Sequence, residues 1–232
     1  MPEANDDPKT LALAAAGSLA GGVAAELRVP LRELREGLAV MVEILDHHLN
    51  GNGGPAPYPW EETKALRERI AQAYLTGRKV ARLNSDLGDA INSYGQSSEL
   101  VDVNKLVEVA TNLTRHRISA GTELFIDFGK VPAAKVVPGE VVLLLARLVT
   151  IAADSAHDVP GAAISVKTRC EQGTSGDEIA IYVADSGKGL PAEVAAASTL
   201  GKDVATNLGG SFEGTSEPGA GSVFELRIPS ST

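Results

Sequence analysis

Three patterns in the sequence predict an α+β fold, with long helices first and a mixed helix–strand layer after them. The first 94 residues hold two long stretches in which apolar residues return every third or fourth position, the spacing of one helix face. Between these stretches lies GNGGPAPYP, residues 51–59, a run of turn formers. From about residue 100 onward, helical stretches alternate with short strand-like segments, the mixture that builds a two-layer sandwich.

The first helix is predicted over residues 9–49. Leu27, Leu31, Leu34, Leu38, Met41, Leu45 and Leu49 line its apolar face. Pro30 falls inside it, removing a backbone donor and crowding the preceding turn, so a bend is expected near residues 26–30. The second helix is predicted over residues 60–94, with Leu66, Ile70, Ala73, Gly77, Val80, Leu83, Leu87 and Ile91 on its face and Trp60 anchoring the loop before it. Two long helices joined by a short loop make an antiparallel hairpin. One hairpin leaves an apolar seam in water, so a homodimer closing into a four-helix bundle is expected. The alternative is that the seam packs on the chain's own second domain.

Residues 96–99, QSSE, read as a linker. A helix follows over 101–117, then strands over 123–128 and 134–137. Residues 140–156 are apolar nearly all round, which suits a buried helix. Strands are predicted over 162–170, 178–184, 211–217 and 222–228, the last two joined by Pro218-Gly219-Ala220-Gly221. The domain organisation expected is a disordered tail (1–8), a helical-hairpin domain (9–96) and an α/β sandwich (97–232).

Composition narrows the function. The chain has 232 residues, 44% hydrophobic and 22% charged, the balance of a soluble globular protein. A net charge of -9 argues against nucleic acid or an acidic membrane surface as partner. Cys170 is the only cysteine, which excludes an intrachain disulfide and a multi-cysteine metal site. Four scattered histidines do not make a zinc site. The alanine-rich run 11–25 is shorter than the about 20 apolar residues of a membrane span. Glu3, Asp6 and Asp7 precede it where a signal peptide is basic, so a cytoplasmic location is expected.

Ala24-Ala25-Glu26-Leu27-Arg28-Val29-Pro30-Leu31 resembles the phosphoacceptor box of sensor histidine kinases, small-His-Glu-Leu-Arg-x-Pro-Leu. Ala25 stands where the family has its phosphorylated histidine, and a methyl group has no lone pair with which to attack phosphorus. Glu26, which in the family assists proton removal, has nothing here to activate. Asp185-Ser186-Gly187-Lys188-Gly189-Leu190-Pro191 resembles the first glycine box of the histidine-kinase and Hsp90-type ATPases, D-x-G-x-G-[IL]-P. In that family the aspartate accepts from the adenine amino group, and the glycines let the backbone approach the base. Gly209-Gly210 and Gly219-Ala220-Gly221-Ser222-Val223-Phe224 follow as in the family, so the resemblance spans about residues 17–229. It implies a phosphoacceptor hairpin followed by a sandwich of the histidine-kinase ATPase type.

The family's magnesium helix, N-L-x-x-N-A-x-D-A, matches residues 147–155, RLVTIAADS. Its two asparagines are Arg147 and Ile151 here. Isoleucine offers Mg²⁺ no oxygen, and arginine places a positive charge where the metal belongs, although it suits phosphate. Asp154 remains and reads as a solvated or capping residue. The family's ATP lid and second glycine box, G-L-G-L, are missing. Residues 195–198 are AAAS, and alanines build helix where glycines would cradle phosphate.

The resemblance therefore points to a two-component signalling protein without a catalytic residue: a dimeric pseudokinase acting as a scaffold. Its partner is expected to be a response-regulator receiver domain or an active histidine kinase, docked at Glu26, Arg28 and Pro30. The alternative keeps an enzyme or nucleotide binder, with ATP or ADP held by Asp185, Gly187, Gly189 and Arg147 and with phosphatase, phosphotransfer or weak ATPase activity. A purely structural dimer is the third reading. No metal or obligatory cofactor is expected. His47 and His48 read as exposed residues at a helix end, His116 and His157 as helix-end cations, and Cys170 as a packed thiol.

Overall fold

The computed structural model describes residues 17, 21, 24, 27–43, 60–173, 176–189 and 191–230. The predicted tail, the 51–59 loop, His47, His48, Ala25 and Glu26 lie outside them. The chain divides into two compact units, Val23–Ser85 and one that holds Asp86–Thr232.

In the first unit, helix α1 covers residues 27–43 and continues through Pro30. Helix α2 covers Trp60–Asn92. The two helices meet near Gly37 and Gly77. A Cβ at Gly37 would lie 3.6 Å from that of Ala73, and one at Gly77 would lie 3.9 Å from a Leu34 methyl. Ala73 and Leu83, both on the predicted α2 face, are buried, whereas Leu31, Leu38, Ile70 and Leu75 remain exposed.

In the second unit, β1 (Glu99–Val101) leads to α3 (Val103–Thr114), a 3₁₀ turn (Arg115–Arg117), β2 (Glu123–Phe128) and β3 (Ala134–Val136). Then come α4 (Pro138–Ala156), β4 (Ala163–Gly173), β5 (Gly176–Asp185), α5 (Pro191–Asn207), β6 (Ser211–Glu217) and β7 (Gly221–Pro229). The main sheet has the order β2-β4-β5-β7-β6, parallel between β2 and β4 and antiparallel elsewhere. The α+β expectation holds, with one addition. The segment read as a linker enters β1, which pairs antiparallel with β3, Leu100 opposite Lys135. Three residues are too few to show an alternating pattern, and their pairing partner is supplied from 35 positions away.

Period-two alternation puts one sheet face inward. Ile164 and Val166 of β4, Ile179, Ile181 and Val183 of β5, and Phe224, Leu226 and Ile228 of β7 are all buried. Helix α4 packs on this face and is buried on almost every side, as its uniform apolarity requires. The helices start where capping chemistry allows. Asp102 accepts from Asn104 N (3.0 Å) to cap α3, and Pro138 opens α4 at a position whose N–H would have no partner.

The opposite sheet face carries a polar cluster, beside the exposed Phe125 and Val223. Tyr182 donates to Glu171 (2.8 Å), and Arg227 bridges Glu171 (2.9 Å) and Glu225 (2.5 Å). Burial first, and the Glu171 hydrogen bond second, push the Tyr182 phenol above its ordinary pKa of 10.0. Cys170 corrects the packed-thiol reading, for it is exposed. Strand β2 stops at Phe128, opposite Thr168, so among the described residues no strand pairs with β4 on that side beyond this point. No helix among the described residues is long and apolar enough to cross a membrane.

One buried polar junction ties three elements together. Thr168 is 0% exposed, and its hydroxyl donates to Asn104 Oδ1 (2.7 Å) and accepts from Gly129 N (3.0 Å). Asn104 Nδ2 in turn donates to Gly129 O (3.1 Å). Replacing Thr168 by Val keeps the shape and strands the Asn104 acceptor. Thr168→Val is expected to lower stability by about 1–3 kcal/mol in urea unfolding, and an unchanged midpoint would refute this role.

Candidate functional site

Strand β5 ends at Asp185, and helix α5 begins at Pro191. The loop between them is fixed at both flanks. Ser186 N donates to Ala163 O (3.0 Å), and its hydroxyl accepts from Ala163 N (2.9 Å). Lys188 N donates to Ser155 O (3.0 Å) and Gly189 N to the Ser155 hydroxyl (3.1 Å). On the other side Gly219 N donates to Lys188 O (2.9 Å), which joins the loop to the β6–β7 turn.

This closeness explains the two glycines. A side chain on Gly187 would run into the Ser155 carbonyl. Gly189 has φ +72°, and a Cβ there would lie 2.6 Å from Glu217 O. The glycines thus serve the protein's own backbone contacts, a role that the motif as a string does not reveal.

Asp185 is 7% exposed. Its Oδ1 accepts from Gly187 N (2.8 Å), the local turn that short acidic side chains favour. Its Oδ2 is buried and has no hydrogen-bond partner among the described residues. A buried carboxylate oxygen without a donor costs free energy, and such exceptions in folded proteins call for an explanation. The atom is an acceptor awaiting an N–H or O–H.

Helix α4 supplies the neighbouring wall through Ser155. Arg147 is half-buried on this helix, and Ile151 is 0% exposed. Asp154 is solvated, as expected, and is also ion-paired: Arg117 Nη2 donates to its Oδ1 (2.6 Å) across an exposed contact. The Mg²⁺ that the resemblance implies does not fit these residues: one is an inward-facing hydrocarbon, one a cation and one already ion-paired. Among the described residues, no three His, Cys, Asp or Glu side chains gather as metal ligands.

The other sequence-predicted residues fall elsewhere. Arg28 is exposed and Pro30 half-buried on α1, in the first unit. His116 lies in the 3₁₀ turn after α3. His157 follows α4 and its Nδ1 pairs with Asp158 (2.8 Å). Helix α5 includes residues 195–198. Ser155 is the site residue that sequence reasoning passed over: it stands in the quoted RLVTIAADS stretch, but nothing local marks its hydroxyl as the holder of a loop 34 residues away.

No family model matches the chain. A sensor histidine kinase from Klebsiella oxytoca, ZraS, is 27% identical over 238 residues, which cover 94% of this chain and 46% of that protein. The chain therefore spans about half the length of this curated relative. Among solved structures, the catalytic domain of the histidine kinase ThkA is 14% identical with a TM-score of 0.49, over 58% of this chain and 98% of that one. The Acinetobacter baumannii histidine kinase AdeS is 16% identical with a TM-score of 0.45, over 89% and 98%. The histidine kinase domain of the Erythrobacter litoralis EL346 blue-light activated kinase is 13% identical with a TM-score of 0.47, over 68% and 86%.

Because Gly187 sits against the Ser155 backbone, Gly187→Ala is expected to lower the thermal midpoint with no ligand present. An unchanged melt would mean that the glycine serves something other than this contact.

Proposed function

For a chain that is a relative of the sensor histidine kinases, we propose the role of a non-catalytic signalling partner, a histidine-kinase-like scaffold in a two-component system. The observation that carries this reading is Ile151, wholly buried on α4 where the chemistry of such kinases needs a metal-binding oxygen. Ala25 at the acceptor position removes the nucleophile independently. The entry of α5 at Pro191 leaves one residue, outside the described ones, between Gly189 and the helix, no room for a phosphate-covering lid.

What remains is a binding surface. Glu26, Arg28 and Pro30 keep the family's order around Ala25, and the exposed Arg28 can meet an acidic receiver surface. The exposed Leu31, Leu38, Val42, Ile70, Tyr74 and Leu75 make an apolar seam along α1 and α2 that a second copy would cover as a four-helix bundle. The partners proposed are a response-regulator receiver domain or an active histidine kinase, met in the cytoplasm.

The test is equilibrium titration of the protein against the receiver domains and histidine kinases of its host. At least one is expected to bind, and Arg28→Ala to weaken it several-fold; affinity for none of them would sink the reading. In parallel, neither the protein nor its Ala25→His variant should take label from γ-labelled ATP. Labelling of either one would return the protein to the kinases.

A second reading has its own observation, the unpartnered Asp185 Oδ2. An adenine amino group is a donor of the kind this atom lacks, which supports a reading in which Asp185 holds a nucleotide base without phosphotransfer. In calorimetric titration with ATP and ADP, Asp185→Asn should weaken binding about tenfold or more, since it puts an amide donor in an acceptor's place. Equal affinity of the two proteins would remove the base from this site.

A further inference from the structure

From Gly139 to Ala156, three residues of α4 are not buried: Glu140, Arg147 and Asp154. They are seven apart, so they form a single line down the helix, the one strip of α4 that meets solvent. The outer two are engaged. Asn207 Nδ2 donates to Glu140 Oε2 (3.5 Å), and Arg117 holds Asp154 (2.6 Å). Arg147, half withdrawn from water, has no ion pair or hydrogen bond among the described residues. A guanidinium carries five donors in a planar fork that matches phosphate oxygens.

We propose that this strip recognises phosphate without a divalent cation, Arg147 supplying the positive charge, so that the ligand taken beside Asp185 is a metal-free adenine nucleotide. The proposal rests on the nucleotide reading of Asp185 given above. Arg147 and Ser155, the anchor of the Asp185 loop, are eight residues apart, ~12 Å along the helix axis. That separation, with the reach of an arginine side chain, is on the scale of a nucleoside diphosphate. Mg²⁺ has no place in this arrangement. It would find a hydrocarbon at Ile151, a carboxylate paired with Arg117 at Asp154 and a like charge at Arg147. Bound to the nucleotide, it would neutralise the charge that Arg147 reads, so added magnesium is a competitor of the arginine.

The experiment is calorimetric titration of the full chain with ADP, adenosine and inorganic pyrophosphate, each in EDTA and in excess Mg²⁺. ADP is expected to bind at least as tightly in EDTA as in Mg²⁺. Arg147→Ala should weaken ADP and pyrophosphate about ten- to a hundredfold and leave adenosine unchanged, with Arg147→Lys restoring part of the loss. Asp185→Asn should weaken ADP and adenosine and leave pyrophosphate unchanged. A tenfold gain in ADP affinity on adding Mg²⁺ would overturn the proposal. So would an Arg147→Ala protein with wild-type affinity for ADP and pyrophosphate; in that case an adenosine response to Asp185→Asn would leave the nucleotide reading standing. Arg147-dependent pyrophosphate binding with no adenosine binding would remove the adenine ligand and that reading with it. No heat from any of the three ligands would end both.

Discussion

Ser155 gives its carbonyl to Lys188 N and its hydroxyl to Gly189 N, and the arrangement of the site depends on that pair of bonds. The last carbonyls of a helix have no partner inside the helix. The loop after β5 supplies one to α4, so the same contact finishes the helix and fixes the loop. The approach is so close that Gly187 admits no side chain, and Gly189 must take a left-handed backbone against Glu217. Asp185 is thereby held at a strand end, one oxygen satisfied by Gly187 N and the other left with nothing to accept from.

The placement of α4 decides how much chemistry the rest of the site can hold. A helix covered on nearly all sides has little surface on which to differ from its relatives without disturbing the core. Its exposed line is one residue wide, and Glu140, Arg147 and Asp154 occupy it. Ile151 faces inward and contributes packing.

Much of the second unit was legible in the sequence. The continuous apolarity of residues 140–156 gave away a buried helix, and alternation in 178–184 and 222–228 gave away the central strands, because these patterns are local consequences of period and burial. Strand β1 was not legible, since three residues carry no period and the pairing with β3 comes from elsewhere in the chain. Cys170 was misread for a related reason. Its neighbours alternate as a strand should, but exposure there depends on what the rest of the fold packs against that end of β4, which β4 does not encode. Asp154 looked solitary because its partner, Arg117, lies 37 positions earlier.

For the site, the sequence alone determined the residue types: an aspartate and two glycines after a strand, an arginine and an isoleucine where metal-binding amides are expected, and alanine at the acceptor position. Those are statements of covalent chemistry, and no folding changes them. Tertiary structure decided what each does. It set the glycines against the protein's own carbonyls, paired Asp154 with Arg117, and among the described residues left Arg147 without a partner and an oxygen of Asp185 buried and unmatched. The reason is that hydrogen-bond satisfaction and desolvation are properties of atoms brought together from distant parts of the chain. A motif fixes which donors and acceptors exist; only the packed fold fixes which of them remain unspent.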